Sequence, residues 1–99
     1  MTDRELLELA AKAAEIEITA IVVEGIPHRF GGGYWNPLND DGDALRLAVK
    51  LGLVVNCSRP SAGEPYKQHA IWLDETCDNG TLTRRAIVRA AAEIGRSMK

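Results

Sequence analysis

The segment that most constrains the fold of this chain is residues 17–24, which read Glu-Ile-Thr-Ala-Ile-Val-Val-Glu. β-Branched and other apolar residues occupy both alternating faces of this segment, a pattern typical of a buried strand. A strand that is apolar on both faces needs a covering layer on each side. We therefore expect a sheet that is enclosed between layers of helices.

Three segments with helical patterns supply those layers. The first begins with Thr2 and Glu5, whose spacing fits a capping box, and its leucines and alanines share one side through residue 14. The second, residues 44–51, follows the turn-forming residues 39–43 and ends before Gly52. It is apolar around most of its circumference, which places it either deep in the fold or at an interface. The third is predicted over residues 82–96, with Thr81 or Thr83 as its N-cap.

Further strands are predicted at residues 28–30, 53–57 and 69–74. The last two are expected to pair as an antiparallel hairpin, because the segment between them is short. That segment, residues 58–68, contains two prolines and a glycine and is predicted to be a loop. The resulting order is α-β-(β)-α-β-β-α. We expect one α/β (α+β) domain over residues 1–99, an α-β-α sandwich with a mixed or antiparallel sheet and helices on both faces.

Composition excludes several classes of protein. The chain has 99 residues, of which 45% are hydrophobic and 26% are charged, enough for one modest core. A net charge of -2 argues against a strongly basic nucleic-acid coat protein. There is no run of apolar residues long enough for a membrane span and no hydrophobic signal segment, so a cytoplasmic location is expected. In that compartment Cys57 and Cys77 are expected to be free thiols.

The most specific pattern lies in residues 35–51. They read Trp-Asn-Pro-Leu at positions 35–38, continue through Asn and Asp to Gly-Asp-Ala-Leu at positions 42–45, and end in the apolar helix. This pattern resembles a family of small tailed-phage and prophage proteins, whose opening and closing helices are similar to residues 9–14 and 85–95. The resemblance implies an α-β-α sandwich and a phage origin. It implies no established activity and no catalytic residues.

The same stretch contains a candidate binding or structural motif, formed by Trp35, Asn36, Asp40, Asp41 and Asp43. We favour a structural role, in which the Asn36 side chain bonds a nearby backbone group and Trp35 covers the start of the helix. The alternative is a ligand or partner site that uses Trp35 and the acidic turn. The turn does not fit a calcium loop, because Gly42 at the sixth position would require a ligand from Pro37 at the first.

The last helix carries a candidate basic face formed by Arg85, Arg89 and Arg96. Residues 81–99 hold five cationic side chains and one anionic one, whereas residues 1–24 hold two cationic and six anionic ones. Such polarity can steer an acidic partner or nucleic acid toward the helix. A solvated face that complements the helix dipole is the favoured interpretation, since no aromatic residues interleave with the arginines as a stacking platform requires.

The sequence gives little indication of catalytic chemistry. A zinc site or a Cys–His nucleophile would have to combine Cys57, His69, Cys77 and His28, whose spacings match no standard zinc motif. The glycine run at residues 31–33 fits no phosphate-binding motif. We therefore expect no catalytic residue, no metal and no cofactor.

The function predicted from the sequence is that of a non-enzymatic interaction or accessory module in the cytoplasm of a phage-infected bacterial host. Its partner is expected to be a protein. Self-association as a homodimer is one form of this prediction, through helix 44–51 or an open sheet edge. The alternative is a nucleic-acid accessory protein that uses the arginine face.

Overall fold

The computed structural model describes residues 2–15, 18–22, 26–29, 35–65, 70–71 and 78–98, which form three helices and five short strands. The elements in chain order are α1 (Asp3–Ala13), β1 (Ile18–Val22), β2 (Ile26–Arg29), α2 (Asp41–Leu51), β3 (Val54–Asn56), β4 (Ser61–Gly63), β5 (Ala70–Ile71) and α3 (Asn79–Ser97). This is a mixed α+β fold, as the sequence predicts. Its radius of gyration, 12.6 Å, is the value expected for a compact chain of this length.

Helix α1 begins where the capping box predicts. Thr2 is the N-cap, and its hydroxyl accepts a hydrogen bond from the Glu5 N–H at 3.2 Å. The same hydroxyl donates to the Glu5 carboxylate at 3.2 Å, in place of the usual return contact to the backbone of the cap. The helix ends before Glu15, which adopts the left-handed conformation common just after helix ends.

Helix α3 is the central element and packs against α1, α2 and the strands β3, β4 and β5. Its buried residues are spread around the helix: Leu82, Thr83, Ala86, Ile87, Val88, Ala90, Ala91, Ala92 and Gly95. The prediction that Thr81 or Thr83 caps this helix was wrong. The cap is Asp78, whose carboxylate accepts from the Thr81 N–H at 2.6 Å, and the helix therefore begins three residues earlier than expected. Aspartate is at least as good an N-cap as threonine.

The described strands pair in two antiparallel ladders, β1 with β2 and β3 with β4 with β5. The predicted pairing of residues 53–57 with residues 69–74 was wrong, because β4 lies between β3 and β5. The middle strand falls inside the segment predicted to be a loop. Pro60 and Pro65 flank β4 rather than interrupt it, so its backbone remains available for pairing. Its small residues, Ser61, Ala62 and Gly63, are all buried.

Candidate functional site

The motif at residues 35–43 is folded into the start of α2. Asp40 is the N-cap, and its carboxylate accepts from the Asp43 N–H at 2.7 Å. The buried Asp43 carboxylate accepts from the Asn36 N–H at 3.0 Å, and its other oxygen lies 3.4 Å from the Arg46 guanidinium. The Asn36 carbonyl in turn accepts from the N–H groups of Asn39 and Asp40. These contacts close a turn that leads directly into the helix.

Two side chains of this motif differ in how closely they follow the sequence-based expectation. The predicted bond from the Asn36 side chain to a backbone group was wrong, because its Oδ1 accepts from the Asn39 side-chain amide at 3.2 Å. The backbone of Asn36 holds the turn instead. Trp35 is only 2% exposed and lies in the core with Leu38 and Leu47, consistent with a packing role at this turn. An indole that is buried to this degree presents almost no surface to a ligand in solvent.

A recess of about 220 Å³ lies beside Trp35, between the end of α1 and the side of α2 that carries Arg46 and Lys50. Its lining includes the acidic side chains of Glu15 and Asp43 and the basic side chains of Arg46 and Lys50. Because both signs of charge are present in similar number, the recess has no clear electrostatic preference for an anion or a cation.

Arg84 is an important residue that the sequence-based reasoning missed. Its guanidinium donates to the Leu38 carbonyl at 3.0 Å, to the Asp41 carboxylate and to the Thr81 hydroxyl at 3.1 Å. Its side chain is mostly buried, so it joins the start of α3 to the turn before α2. No local signal reveals this role, because Leu38 and Asp41 lie 46 and 43 residues away in the chain.

The predicted basic face is only partly available to a partner. Arg85 forms an ion pair with Asp3 of α1 at 2.9 Å, and about a quarter of its side chain is exposed. Arg89 and Arg96 are exposed, and the exposed Glu93 lies near them on the same side of α3. Part of the opposite charge on the first and last helices is therefore engaged within the molecule, where the Asp3–Arg85 ion pair links α1 to α3.

The outer side of α2 carries two exposed apolar side chains, which we call the α2 ridge. Leu45 is 62% exposed and Val49 is 72% exposed, and they lie one turn apart. Ala44, Leu47 and Ala48 on the inner side are buried. The helix is therefore in the core on one side only, and its opposite side presents apolar surface to solvent.

A groove of about 390 Å³, which we call the α2–α3 groove, lies directly beside the ridge. Its walls come from α2, from α3 and from the segment at and after β3, and include Ala44, Leu45, Val55, Cys57, Thr83 and Ile87. Among the described residues, the Thr83 hydroxyl is the one buried side-chain polar group with no hydrogen-bond partner. Asp41 and Arg84 lie at the α2 and α3 walls, beside the first residues of α3.

The residues considered and set aside for thiol or metal chemistry are not brought together within the part of the chain that the structure describes. Cys57 is an exposed free thiol on the groove. His69 and Cys77 lie outside the described residues, and only the backbone of His28, in β2, is described. No group of three or more His, Cys, Asp or Glu side chains that could hold a metal occurs within the described ranges. No helix in those ranges is long and apolar enough to cross a membrane.

The carboxyl group of Asp78, the N-cap of α3, is expected to make the stability of the protein depend on pH. Hydrogen bonds from the N–H and then the side chain of Thr81 hold the pKa of its carboxyl below the ordinary value of 3.8. A lowered folded-state pKa contributes stability above pH 3.8, and this contribution is lost as the pH falls through the folded value. We expect the thermal midpoint of the wild type to fall relative to that of Asp78→Asn as the pH is lowered past 3.8. Asparagine keeps the capping acceptor but does not titrate. A constant difference between the two midpoints would contradict the assignment.

Comparison of the chain with known protein families, with curated protein sequences and with solved structures gives no match. The resemblance of residues 35–51 to small phage proteins therefore stays a prediction.

Proposed function

We propose that this chain is a non-enzymatic protein–protein interaction module and that the α2 ridge is the surface at which its partner binds. The observation that carries the proposal is the exposure of Leu45 and Val49 on the outer side of a helix whose inner side is already packed. Surface helices usually place polar or charged residues on the solvent side. Apolar groups that cluster on the surface of a soluble domain commonly mark an interaction site.

The surroundings of the ridge support the same proposal. The ridge borders the α2–α3 groove, so a partner would find both an apolar projection and an apolar depression on one face. Exposed Arg46 and Lys50 lie on α2 beside the ridge. An apolar centre with charged residues at its edge is the usual composition of a protein interface.

The proposal extends to the wider context predicted from the sequence. We place the module in a phage or prophage, acting in the cytoplasm of the bacterial host, and we propose an α-β-α sandwich as its full architecture. The central position of α3, with helices and strands packed against it, supports a layered arrangement. The nucleic-acid alternative has less support, because Arg85 is engaged by Asp3 and Glu93 reduces the positive charge near Arg89 and Arg96.

The test is a pull-down with tagged protein from bacterial lysate, with and without nuclease and at two salt concentrations. Leu45→Asp places a charge on the ridge, and Met98→Asp makes the same kind of change at an exposed apolar residue at the end of α3. Both substitutions are at the surface, where changes in stability are usually within about 0.5 kcal/mol. Circular dichroism and thermal unfolding verify that both variants fold.

We expect a protein that survives nuclease and high salt to be recovered by the wild type and by Met98→Asp, but not by Leu45→Asp. Equal recovery by all three forms would contradict the use of the ridge. Recovery that disappears with nuclease or with modest salt would instead support nucleic-acid binding through the arginine face.

A further inference from the structure

We propose that the peptide bond between Asn79 and Gly80 is a covalent modification site of this chain, at which the asparagine deamidates only when the first turn of α3 opens, and that the Asp78 cap controls this opening. Asn79 is the one asparagine of the sequence that is followed by glycine. Both residues are exposed, and both line the α2–α3 groove. The inference goes beyond the proposed function and does not depend on what binds the α2 ridge.

Deamidation at this peptide is an attack within the chain that needs only water as a second reactant. The Gly80 amide nitrogen loses its proton and bonds to the side-chain carbonyl carbon of Asn79. The bond from that carbon to the side-chain nitrogen breaks, and the nitrogen takes up a proton and leaves as ammonia. Glycine favours the attack, because it has no Cβ atom to hinder the approach and its backbone is permissive.

Water then opens the five-membered succinimide ring at one of its two carbonyl carbons. Opening at the former side-chain carbon leaves aspartate at position 79 with a normal main chain. Opening at the main-chain carbon leaves isoaspartate, in which the main chain runs through the side-chain carbon atoms and is one atom longer. The appearance of isoaspartate therefore distinguishes this route from direct hydrolysis of the side-chain amide.

The helical conformation keeps the reacting atoms apart. Asn79 is the first residue of α3, and Gly80 is the second. To close the ring, the Gly80 nitrogen must turn toward the Asn79 side chain, which moves ψ of Asn79 away from the helical value of about −42°. The first turn of α3 must consequently open before the reaction can occur.

Several contacts hold this turn closed. The Asp78 carboxylate accepts from the Thr81 N–H at 2.6 Å, and the Asp78 carbonyl accepts from the Leu82 N–H at 3.1 Å. Both bonds span the reactive peptide, and the Leu82 side chain is buried. Arg84 donates to the Thr81 hydroxyl at 3.1 Å and also bonds the turn before α2. The exposed asparagine is thus in contact with water while its backbone is held in the unreactive conformation.

The first test compares the native protein with the chain unfolded in guanidinium chloride at the same neutral pH. Mass spectrometry follows the peptide that contains position 79, and chromatography separates its aspartate and isoaspartate forms. We expect both products in the unfolded chain and a rate at least about 10-fold lower in the native protein, since local opening limits the reaction there. Equal rates would overturn the inference, as would an unfolded chain in which Asn79 stays intact.

Substitutions at the cap test what controls the opening. Asp78→Ala removes the capping acceptor, whereas Asp78→Ser keeps one. Each native rate is divided by the rate of the same variant in guanidinium chloride, so that the ratio reports structure and not the change in sequence. This ratio should rise about 5-fold for Asp78→Ala, the factor that corresponds to the typical loss of about 1 kcal/mol on removing an N-cap, and by less for Asp78→Ser. With both variants folded by circular dichroism, a ratio for Asp78→Ala equal to that of the wild type would exclude control by the cap.

The two products should differ in stability. Asn79→Asp reproduces the aspartate product, whose carboxylate in the first turn of a helix interacts favourably with the helix dipole. Isoaspartate lengthens the main chain between Asp78 and Thr81, so the spacing that the cap requires is lost. Isoaspartate-containing protein, purified from an aged sample by ion exchange, should therefore unfold at a lower temperature than Asn79→Asp. Equal thermal midpoints would overturn the role of the cap spacing at this peptide.

Discussion

Gly95→Ala should destabilise the protein by about 3 kcal/mol, even though alanine is the better helix former by about 1 kcal/mol. A Cβ atom placed on Gly95 would overlap the carbonyl oxygen of Leu9 and lie 2.8 Å from its carbonyl carbon. These are backbone atoms of α1, so no side-chain rotation relieves the clash. The helices α1 and α3 must separate, and the packing between them is lost. Urea unfolding at equilibrium measures the effect.

The matched control is Gly80→Ala in the same helix. At Gly80 the nearest atom to an added Cβ is the end of the Arg84 side chain, at 3.3 Å, so a shift of a few tenths of an ångström relieves the contact without moving a backbone atom. The gain in helix propensity is set against a small adjustment of the Arg84 hydrogen bonds, so we expect the stability to stay within about 1 kcal/mol of the wild type. A Gly95→Ala variant as stable as Gly80→Ala would show that α1 and α3 do not approach closely at Leu9.

Small residues explain why the two helices approach so closely. Ala10, Ala11 and Ala14 of α1 are buried, as are Ala91 and Ala92 of α3. Side chains of this size let helix backbones come nearer than leucine would. The helical periodicity of each segment predicts which side of α1 is buried. It does not identify the helix on the other side, since that depends on contacts between residues far apart in the chain.

The sequence predicts the helices better than the sheet, because the signals for helices are local, whereas strand pairing depends on residues far apart in the chain. Caps and periodicity are local, and the start of α1 at Thr2 follows from them. Strand β4 has only three residues, all small, and its pairing with β3 and β5 depends on the tertiary structure. The start of α3 was misplaced because Asp78 and Thr81 are both good caps. In the structure Asp78 is the N-cap of α3, and Thr83 is buried inside the helix packing.

The candidate site likewise has features that local sequence predicts and features that depend on distant parts of the chain. The capping role of the acidic turn before α2 is predicted from residue types alone, and Asp40 is the cap. The bond from the Asn36 N–H to the buried Asp43 carboxylate is not predicted in this way. The role of Arg84 is not predictable in this way, because its partners come from another part of the chain. For α2 the pattern leaves open whether the helix is buried or at an interface. The burial of Leu47 and the exposure of Leu45 show which side is in the core and which side faces solvent.

Trp35→Ala should cost about 3–5 kcal/mol of stability, the range for truncating a buried aromatic side chain to alanine. Trp35 is among the largest fully buried side chains of the described residues, and it packs in the core with Leu38 and Leu47. Total stability for a domain of this size is about 5–15 kcal/mol, so the variant should be marginally folded at best. Trp35→Phe keeps an apolar ring and should lose a smaller part of this stability. Urea unfolding compares the three proteins.

The phenylalanine variant also separates the two interpretations of the Trp35 motif. If Trp35 serves packing alone, Trp35→Phe should fold and should keep the binding that Leu45→Asp removes, because the buried indole contributes almost no surface. A folded Trp35→Phe that loses its partner, beside a Leu45→Asp that keeps it, would move the interaction surface from the α2 ridge to the turn. The structural role predicts the opposite pattern, since Asp43 bonds the Asn36 backbone and holds the turn together without a ligand.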